Sequence, residues 1–181
     1  MTTHETPLPA LPQLAIGESF IGSGANAAHI NTVLGARSGP AGTAWATALA
    51  TPSAGHVPFM AVIAPGVAVN PPTLFVTKAA IENDEHGRLT WGAAQAGVAG
   101  GVADALAEGI IDARTAAGLV LIVAVWVNPA ADDEQSVYAH NRLATRTALA
   151  AGAAGEPAVE SVLEHRDSPA NPFFSGVAAA Q

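Results

Sequence analysis

The chain has 181 residues, of which 50% are hydrophobic but only 5% aromatic, so its core consists of small and branched aliphatic side chains. Seven basic against fifteen acidic residues give a net charge of −8, which argues against binding to nucleic acid or to an anionic membrane. Cysteine is absent, which excludes disulfides, thiol catalysis and thiolate metal sites. Only 12% of the residues are charged, and so thin a polar coat favours an oligomer that buries part of its surface.

The first residues and the apolar runs limit where the chain can reside. Residues 1–13 hold three prolines without a basic segment or a long apolar stretch, so we expect a flexible extension and not a signal peptide. The longest apolar run, residues 118–127, is about half as long as the roughly 20 residues that a membrane-spanning helix needs. We therefore expect a cytoplasmic chain that does not bind membranes, with a single domain at residues 14–181.

The pattern of apolar and polar residues predicts alternating strands and helices. Strands alternate every second residue, whereas helices show a longer apolar period and end at glycine or proline. The predicted elements, in chain order, are a strand at 14–21, a strand at 27–34, a helix at 41–50, strands at 57–64 and 73–81, a charged surface loop at 82–88, a helix at 91–108, a strand at 119–127 and a helix from 132–134 to about 151. This order predicts an α/β fold, a two-layer sandwich with helices on one face of a mixed sheet.

The helix at 91–108 contains three internal glycines, at positions 97, 100 and 101. Each glycine costs a helix about 0.5–1 kcal/mol relative to alanine. The cost is tolerable if the small residues allow another element to approach closely. We therefore expect a close packing partner along this helix.

The six histidines do not form a metal-binding pattern. They lie at positions 4, 29, 56, 86, 140 and 165, and none has a second ligand at the spacing of a known zinc motif. We therefore expect no dedicated metal site. His56 precedes a core strand and is expected to be structural, whereas His86 lies in the charged loop and is expected to be solvated.

Three polar residues stand in otherwise apolar surroundings and are candidates for function. His29 lies on a predicted strand and shares its face with Asn31. Lys78 is the only lysine of the chain and ends an apolar run, and Gln95 lies in the first turns of the long helix. Taken alone, these patterns favour an inert interface histidine, a solvated strand end and a side chain that bridges to a loop.

Several segments of the chain carry a recognisable motif with its spacing intact. They are Gly22-x-Gly24-x-x-x-Ala28-His29-Ile30, Gly35-x-Arg37-x-x-Pro40, Met60-Ala61-Val62-Ile63, Thr73-Leu74 with Lys78, Trp91-Gly92-Ala93-Ala94-Gln95, Ala107-Glu108-Gly109-Ile110-Ile111, Asn141 with Ala144-Thr145-Arg146, and Asn171-Pro172-Phe173. Together they resemble the formaldehyde-activating enzyme family over about residues 16 to 174.

The resemblance implies a fold, an assembly and a reaction. Members of this family condense formaldehyde with tetrahydromethanopterin, which gives the methylene derivative and water. The implied fold is similar to ribosomal protein S5 domain 2, and the implied assembly is a homopentamer with pterin sites between subunits. The resemblance implies no metal and no permanently bound cofactor, because the reduced pterin is a co-substrate.

The resemblance also implies roles for individual residues. His29 takes the position of the proposed acid, and an imidazolium suits the loss of hydroxide from a carbinolamine because its pKa lies near neutrality. Met60, Lys78 and Gln95 take the positions of residues that contact the pterin. Asn31 and Ala80 take those of an aspartate and a threonine of the same site, and Ala80 lacks the hydroxyl.

The substitution at position 31 has a consequence for His29. A carboxylate would favour the imidazolium, whereas Asn31 offers hydrogen bonds without charge, so we expect His29 to hold its proton more weakly. Ser23 and Asn26 also depart from the family pattern. Two alternatives stay open: a non-catalytic homologue that binds or senses a pterin or a formaldehyde adduct, and an enzyme that condenses formaldehyde with a different amine.

Overall fold

A computed structural model describes residues 14–174, so the extension predicted at 1–13 lies outside the described residues. Short 3₁₀ turns occur at Gly24–Asn26 and Ala116–Gly118, and a π-helical turn occupies Leu89–Ala94. The strands and helices are β1 Ala15–Ile21, β2 Ala28–Ala36, α1 Pro40–Ala50, β3 Pro58–Met60, β4 Val62–Ala64, β5 Val67–Ala68, β6 Thr73–Thr77, α2 Asp84–Arg88, α3 Gln95–Ala107, β7 Leu119–Trp126, α4 Glu134–Ala154 and α5 Val159–Glu164.

Five strands form one mixed sheet in the order β1-β2-β7-β6-β3. The β6–β7 pair is parallel and the other neighbours are antiparallel. Strands β4 and β5 form a separate two-stranded hairpin. The mixed sheet with its helices confirms the predicted α/β sandwich, and its likeness to ribosomal protein S5 domain 2 stays a prediction.

Alternation along β2 and β7 separates the two faces of the sheet. Ile30 on β2 and Val123 and Val125 on β7 are buried in the core together with side chains of α3 and α4. His29 and Asn31 alternate with these residues and are only half-buried. The helical layer therefore covers one face of these strands and leaves the polar side chains on the other face.

Helices α3 and α4 pack closely because α3 presents glycine to its partner. A Cβ atom at Gly97 or Gly101 would lie 2.5 Å from a backbone oxygen of α4. Two ion pairs, Arg142 with Asp104 and Arg146 with Glu108, join the helices at 2.7 Å. The expected close packing partner of this helix is therefore α4.

Two predicted strands are shorter in the structure than in the sequence pattern. The strand expected at 57–64 is broken at Ala61, where the chain turns from β3 into the β4–β5 hairpin. The strand expected at 73–81 ends at Thr77, although the backbone N–H of Lys78 still donates to Val125 O at 2.8 Å. Residues 79–81 lie outside β6, so the apolar pattern that extended the predicted strand to residue 81 does not correspond to strand pairing there.

The segment predicted as a charged surface loop contains helix α2, and the expected exposure of His86 is wrong. Asn83 caps the helix, since its side-chain oxygen accepts from the backbone N–H of His86 at 2.8 Å. The imidazole is only 1% exposed, and Nε2 lies 3.0 Å from Val127 O. The single turn of helix directs the charged neighbours outward and His86 inward, so His86 holds α2 to the end of β7.

Helix α5 was not predicted from the sequence. It has six residues and none of them is buried, so it lacks the apolar stripe that marks a packed helix. Across residues 14–174, none of the helices combines the length and the apolar character needed to cross a bilayer.

Candidate active site

The candidate site lies on the face of the sheet opposite the helical core. His29 and Asn31 project from β2, and their cross-strand partners on β1 are Phe20 and Glu18. On the other side of β2, Trp126 of β7 is the cross-strand partner of His29. The β1–β2–β7 ladder therefore brings a histidine, an amide, a carboxylate and two aromatic rings to one surface.

Lys78 reaches this surface from a more distant strand. It follows β6, which is separated from β2 by β7, and its side chain crosses over β7. Its Nζ donates to Asn31 Oδ1 at 2.7 Å and lies 3.4 Å from His29 Nδ1. The structure therefore brings together three of the residues that the sequence selected: His29, Asn31 and Lys78.

Glu18 belongs to this group although the sequence did not select it. Its Oε1 lies 3.1 Å from His29 Nε2, so the carboxylate accepts a hydrogen bond from the N–H group of this ring nitrogen. The alternation of β1 places Glu18 on the outer face, but its proximity to His29 depends on the register of the β1–β2 hairpin. A prediction of that register would have required the correct pairing of residues 15–21 with residues 28–34 across the glycine loop between the two strands.

The electrostatics of the group favour neutral nitrogen atoms. Burial and the nearby Lys78 cation lower the pKa of His29, and Glu18 partly opposes this shift. Burial lowers the pKa of Lys78 to about 8, again against the opposing charge of Glu18. Asn31 is not among the causes of this shift, so the expected effect of the substitution at position 31 stays a prediction.

An aromatic cluster borders the histidine. The ring centroids of Phe20 and His29 are 6.0 Å apart. The Phe173 ring packs edge to face against Phe20 and Trp126, with ring centroids 6.4 and 5.7 Å away. Phe20 and Phe173 also line a cavity of about 620 Å³ with the 22–25 loop. The Asn171-Pro172-Phe173 segment therefore lies beside the candidate site, and the cavity offers an apolar surface to a planar ring.

Met60 and Gln95 lie outside the hydrogen-bonded group of His29, Asn31 and Lys78, Met60 on β3 and Gln95 at the start of α3. Gln95 is 8% exposed, and its amide donates to Val62 O at 3.0 Å and accepts from Val62 N at 3.2 Å. These two bonds join the start of α3 to strand β4, whereas the local pattern favoured a bridge to a loop. Met60 lies on the edge strand β3 and is 39% exposed.

The other positions at which the chain departs from the family pattern are Ala80, Asn26 and Ser23. Ala80 lies close to Gly55, in the turn that precedes β3. Asn26 accepts from the backbone N–H groups of Asp132 and Asp133 at 3.0 and 3.1 Å and so positions the start of α4. Ser23 lines the cavity beside Phe20.

Within residues 14–174, no three side chains of His, Asp or Glu lie close enough together to hold a metal ion. The groups that the site presents are a carboxylate, an imidazole, an amide and an amine.

Comparison with known proteins identifies relatives over nearly the whole described region. Residues 16–174 match the sequence model of a family described as formaldehyde-activating enzyme (Fae). The chain is 40% identical over 158 residues to the 5,6,7,8-tetrahydromethanopterin hydro-lyase of Methanosarcina barkeri, covering 87% of this chain and 89% of that protein.

Longer proteins also match. The bifunctional enzyme Fae/Hps of Archaeoglobus fulgidus is 38% identical over 89% of this chain, and that of Methanothrix thermoacetophila is 39% identical over 88%. In each case the match spans 41% of the longer protein. The chain therefore covers about two fifths of these bifunctional relatives.

Proposed function

The chain belongs to the formaldehyde-activating enzyme family, and from this premise we propose that it condenses formaldehyde with tetrahydromethanopterin or a related reduced pterin. The products are the methylene derivative and water, so the activity is that of a hydro-lyase. The observation that carries this proposal is the 40% identity, over 87% of the chain, to a relative named tetrahydromethanopterin hydro-lyase.

The proposed reaction needs a proton at one step. An amine of the pterin adds to formaldehyde and gives a carbinolamine, which loses hydroxide to leave an iminium ion. The second amine of the pterin then attacks this ion and closes the methylene bridge. Hydroxide is a poor leaving group, so a proton must reach its oxygen as the bond breaks, and a positioned general acid typically contributes 10²–10⁴-fold.

His29 is the proposed donor of this proton. Its ring is half-buried on an otherwise open face, with Glu18 at Nε2 and Lys78 at Nδ1. Burial and Lys78 lower the pKa of His29 while Glu18 opposes this shift, so the imidazolium form releases its proton readily. A pterin held against this face would also gain from proximity, because both amines would lie next to the captured formaldehyde.

The remaining predicted contacts suggest how the pterin is held. Lys78 and Asn31 offer polar atoms beside His29, and the Phe20 and Phe173 rings offer an apolar surface. Met60, Gln95 and Ala80 belong to other parts of the fold, so we propose that a neighbouring subunit contributes them to the site. Exposed apolar side chains of β1 and the β4–β5 hairpin support a homopentamer, among them Ile16, Ile63 and Val67. The cytoplasmic location stays a prediction.

The test is the rate of methylene-tetrahydromethanopterin formation over the spontaneous reaction. Wild-type protein should accelerate it, and His29→Ala should lose most of that gain. His165→Ala is the matched control, because His165 is exposed at the end of α5 and its ring lies 2.9 Å from Ser161 O of its own turn. A wild-type rate equal to that of buffer would overturn the proposal, and so would equal rates of the two variants.

A further inference from the structure

Three side chains on the outer face of the sheet form a continuous chain of contacts. Lys78 Nζ lies 3.4 Å from His29 Nδ1, and His29 Nε2 lies 3.1 Å from Glu18 Oε1. Each member comes from a different strand or strand end, so the contacts depend on the sheet and not on local sequence. A nucleophile beside a base that a third group orients is the usual arrangement of an activated nucleophile.

We propose that Lys78 is a nucleophile that captures formaldehyde, that His29 is its base, and that Glu18 positions His29. This inference rests on the proposed function, since it adds a covalent step on the protein to the condensation with the pterin. It gives Lys78 a catalytic role beyond contact with a bound ligand.

The geometry leaves the amine ready to react. A neutral lysine amine has two hydrogens and one lone pair. Asn31 Oδ1 accepts one hydrogen at 2.7 Å, and His29 Nδ1 lies within reach of the second. With both hydrogens engaged, the lone pair projects away from the two acceptors and is free to attack an electrophile.

Asn31 has a specific part in this arrangement. Its amide oxygen orients the amine without adding a negative charge that would stabilise the ammonium form. Burial lowers the pKa of Lys78 to about 8, so a substantial fraction of the amine is neutral near physiological pH. A carboxylate at position 31 would hold the proton on Lys78 and suppress its nucleophilicity.

Every step of the proposed capture balances without an external oxidant or reductant. His29 first takes a proton from the Lys78 ammonium group and becomes imidazolium. The neutral amine then attacks the carbon of formaldehyde, a C–N bond forms as the C=O π bond breaks, and a proton passes from that nitrogen to the oxygen to give a carbinolamine. Imidazolium His29 protonates the departing hydroxyl, which leaves as water, and a methylene iminium remains on Lys78.

Transfer to the pterin then regenerates the lysine. A pterin amine attacks the iminium carbon and releases a proton to His29, which gives a methylene bridge between the two nitrogens. Imidazolium His29 gives that proton to the Lys78 nitrogen, the C–N bond to Lys78 breaks, and the free lysine amine leaves an iminium on the pterin. The second pterin amine attacks this iminium, and its proton passes to His29. The sum is formaldehyde and two N–H groups converted to a methylene bridge and one water.

Reductive trapping tests this capture directly on the wild-type chain. Protein is incubated at pH 7 with isotopically labelled formaldehyde and cyanoborohydride, without pterin, and methylation is located by peptide mass spectrometry. Lys78 is the only lysine, so label on a side-chain amine has one possible position. An amine with a pKa of about 8 is roughly 10²-fold more neutral at pH 7 than free lysine, so we expect roughly 10²-fold faster trapping than of N-acetyl-lysine. Trapping at the rate of N-acetyl-lysine or slower would overturn the proposal.

Variants separate capture from simple binding. Lys78→Arg keeps the cation and its donors but cannot form an iminium, so we expect loss of kcat that saturating pterin does not restore. A variant with normal kcat and only a raised KM would overturn the proposal. Because the chain has no cysteine, Lys78→Cys can be alkylated selectively with bromoethylamine, which rebuilds a side-chain amine and should restore activity.

The two proposals fail in different ways. If wild type accelerates pterin condensation but Lys78 is not trapped, the capture step is wrong and the proposed function stands. If Lys78 is trapped rapidly but pterin condensation is no faster than in buffer, the capture is supported and the proposed pterin reaction is wrong.

Discussion

The carboxylate of Glu18 on β1 lies 3.1 Å from Nε2 of His29 on β2. His29 therefore receives from the neighbouring strand a negative charge that its own strand lacks at Asn31. The two residues are diagonal neighbours of the antiparallel ladder, in which Glu18 faces Asn31 and Phe20 faces His29. The carboxylate acts on the ring nitrogen that points away from Lys78, so the other nitrogen remains available to the amine.

Glu18→Gln should lower both the pKa of His29 and the rate of condensation. Glu18 is the group that raises the pKa of His29 against burial and Lys78, so its removal shifts this pKa further down. We expect the rate at neutral pH to fall about tenfold, because less of His29 then carries the proton that a general acid donates. NMR titration of the His29 ring and the pH profile of kcat/KM measure the two effects.

Glu160→Gln is the matched control, because Glu160 is exposed on α5. It should leave both the titration of His29 and the rate unchanged. An unchanged His29 titration in Glu18→Gln would contradict the role that we assign to this carboxylate.

Asn31→Asp should raise the pKa of Lys78 from about 8 by one unit or more. The new carboxylate would lie where Asn31 Oδ1 now accepts from Nζ at 2.7 Å, and an opposite charge at this distance favours the ammonium form. NMR of the lysine side chain measures the shift without ambiguity, because the chain has a single lysine. Trapping of Lys78 by formaldehyde at pH 7 should slow about tenfold or more.

The control for this variant is Asn83→Asp, which makes the same change at the cap of α2 and preserves the capping acceptor. It should not alter the titration of Lys78. If Asn31→Asp also left that titration unaltered, the neutral acceptor at position 31 would not be what keeps the amine reactive.

Lys78→Met should change how stability depends on pH. The groups that face Lys78 are His29 and Asn31 on β2 and Glu18 on β1, and its folded pKa of about 8 lies below the ordinary 10.5. Below pH 8 the amine is charged in both states, so the folded wild type carries the full cost of burying it. Between about pH 8 and 10.5 the unfolded state binds more protons, so wild-type stability rises with pH.

We therefore expect the free energy of unfolding of wild type to rise relative to that of Lys78→Met between pH 8 and 10.5. The rise should be at most about 2 kcal/mol, after allowance for solvent screening of a half-buried group. Urea unfolding of both proteins at several pH values measures the difference. A constant difference over this range would contradict the lowered pKa of Lys78.

Gly101→Ala should destabilise the fold by about 1–3 kcal/mol, because its Cβ would lie 2.5 Å from the backbone oxygen of Arg142 on α4. Gly92→Ala is the matched control. A Cβ at that helical position meets nothing within 4 Å, so the change should stabilise by about 0.5–1 kcal/mol. Thermal unfolding measures both, and a neutral or stabilising Gly101→Ala would contradict the close approach of α3 and α4.

Much of the sheet and its helical layer could be predicted from the sequence. Strands β1, β2 and β7 are long enough for alternation or continuous burial to identify them, and α4 begins at an acidic cap. Strands β4 and β5 have only three and two residues and pair with each other, so no sheet-scale pattern marks them. His86 was misassigned because one turn of capped helix reverses the exposure that its charged neighbours suggest.

The site itself depends on contacts between residues far apart in the sequence. The resemblance assigned His29, Asn31 and Lys78 to one site, and the structure brings their side chains together, whereas their local patterns favoured unrelated structural roles. The contact between Lys78 and Asn31 depends on the position of β6 beside β7 in the sheet. A single sequence does not reveal that position. Glu18 required the register of β1 against β2, and neither the motif spacing nor the composition fixes that register.

The ion pairs that join α3 and α4 have a consequence for how such a protein would survive its own substrate. Formaldehyde crosslinks proteins chiefly through primary amines and thiols, and this chain has one lysine and no cysteine. Its surface cations are arginines, and Asp104 holds the pKa of Arg142 above its usual range, so that guanidinium stays protonated and poorly nucleophilic. A chain that meets free aldehyde would thus carry positive charge without offering side-chain amines to the aldehyde, except at the one position where reaction is useful.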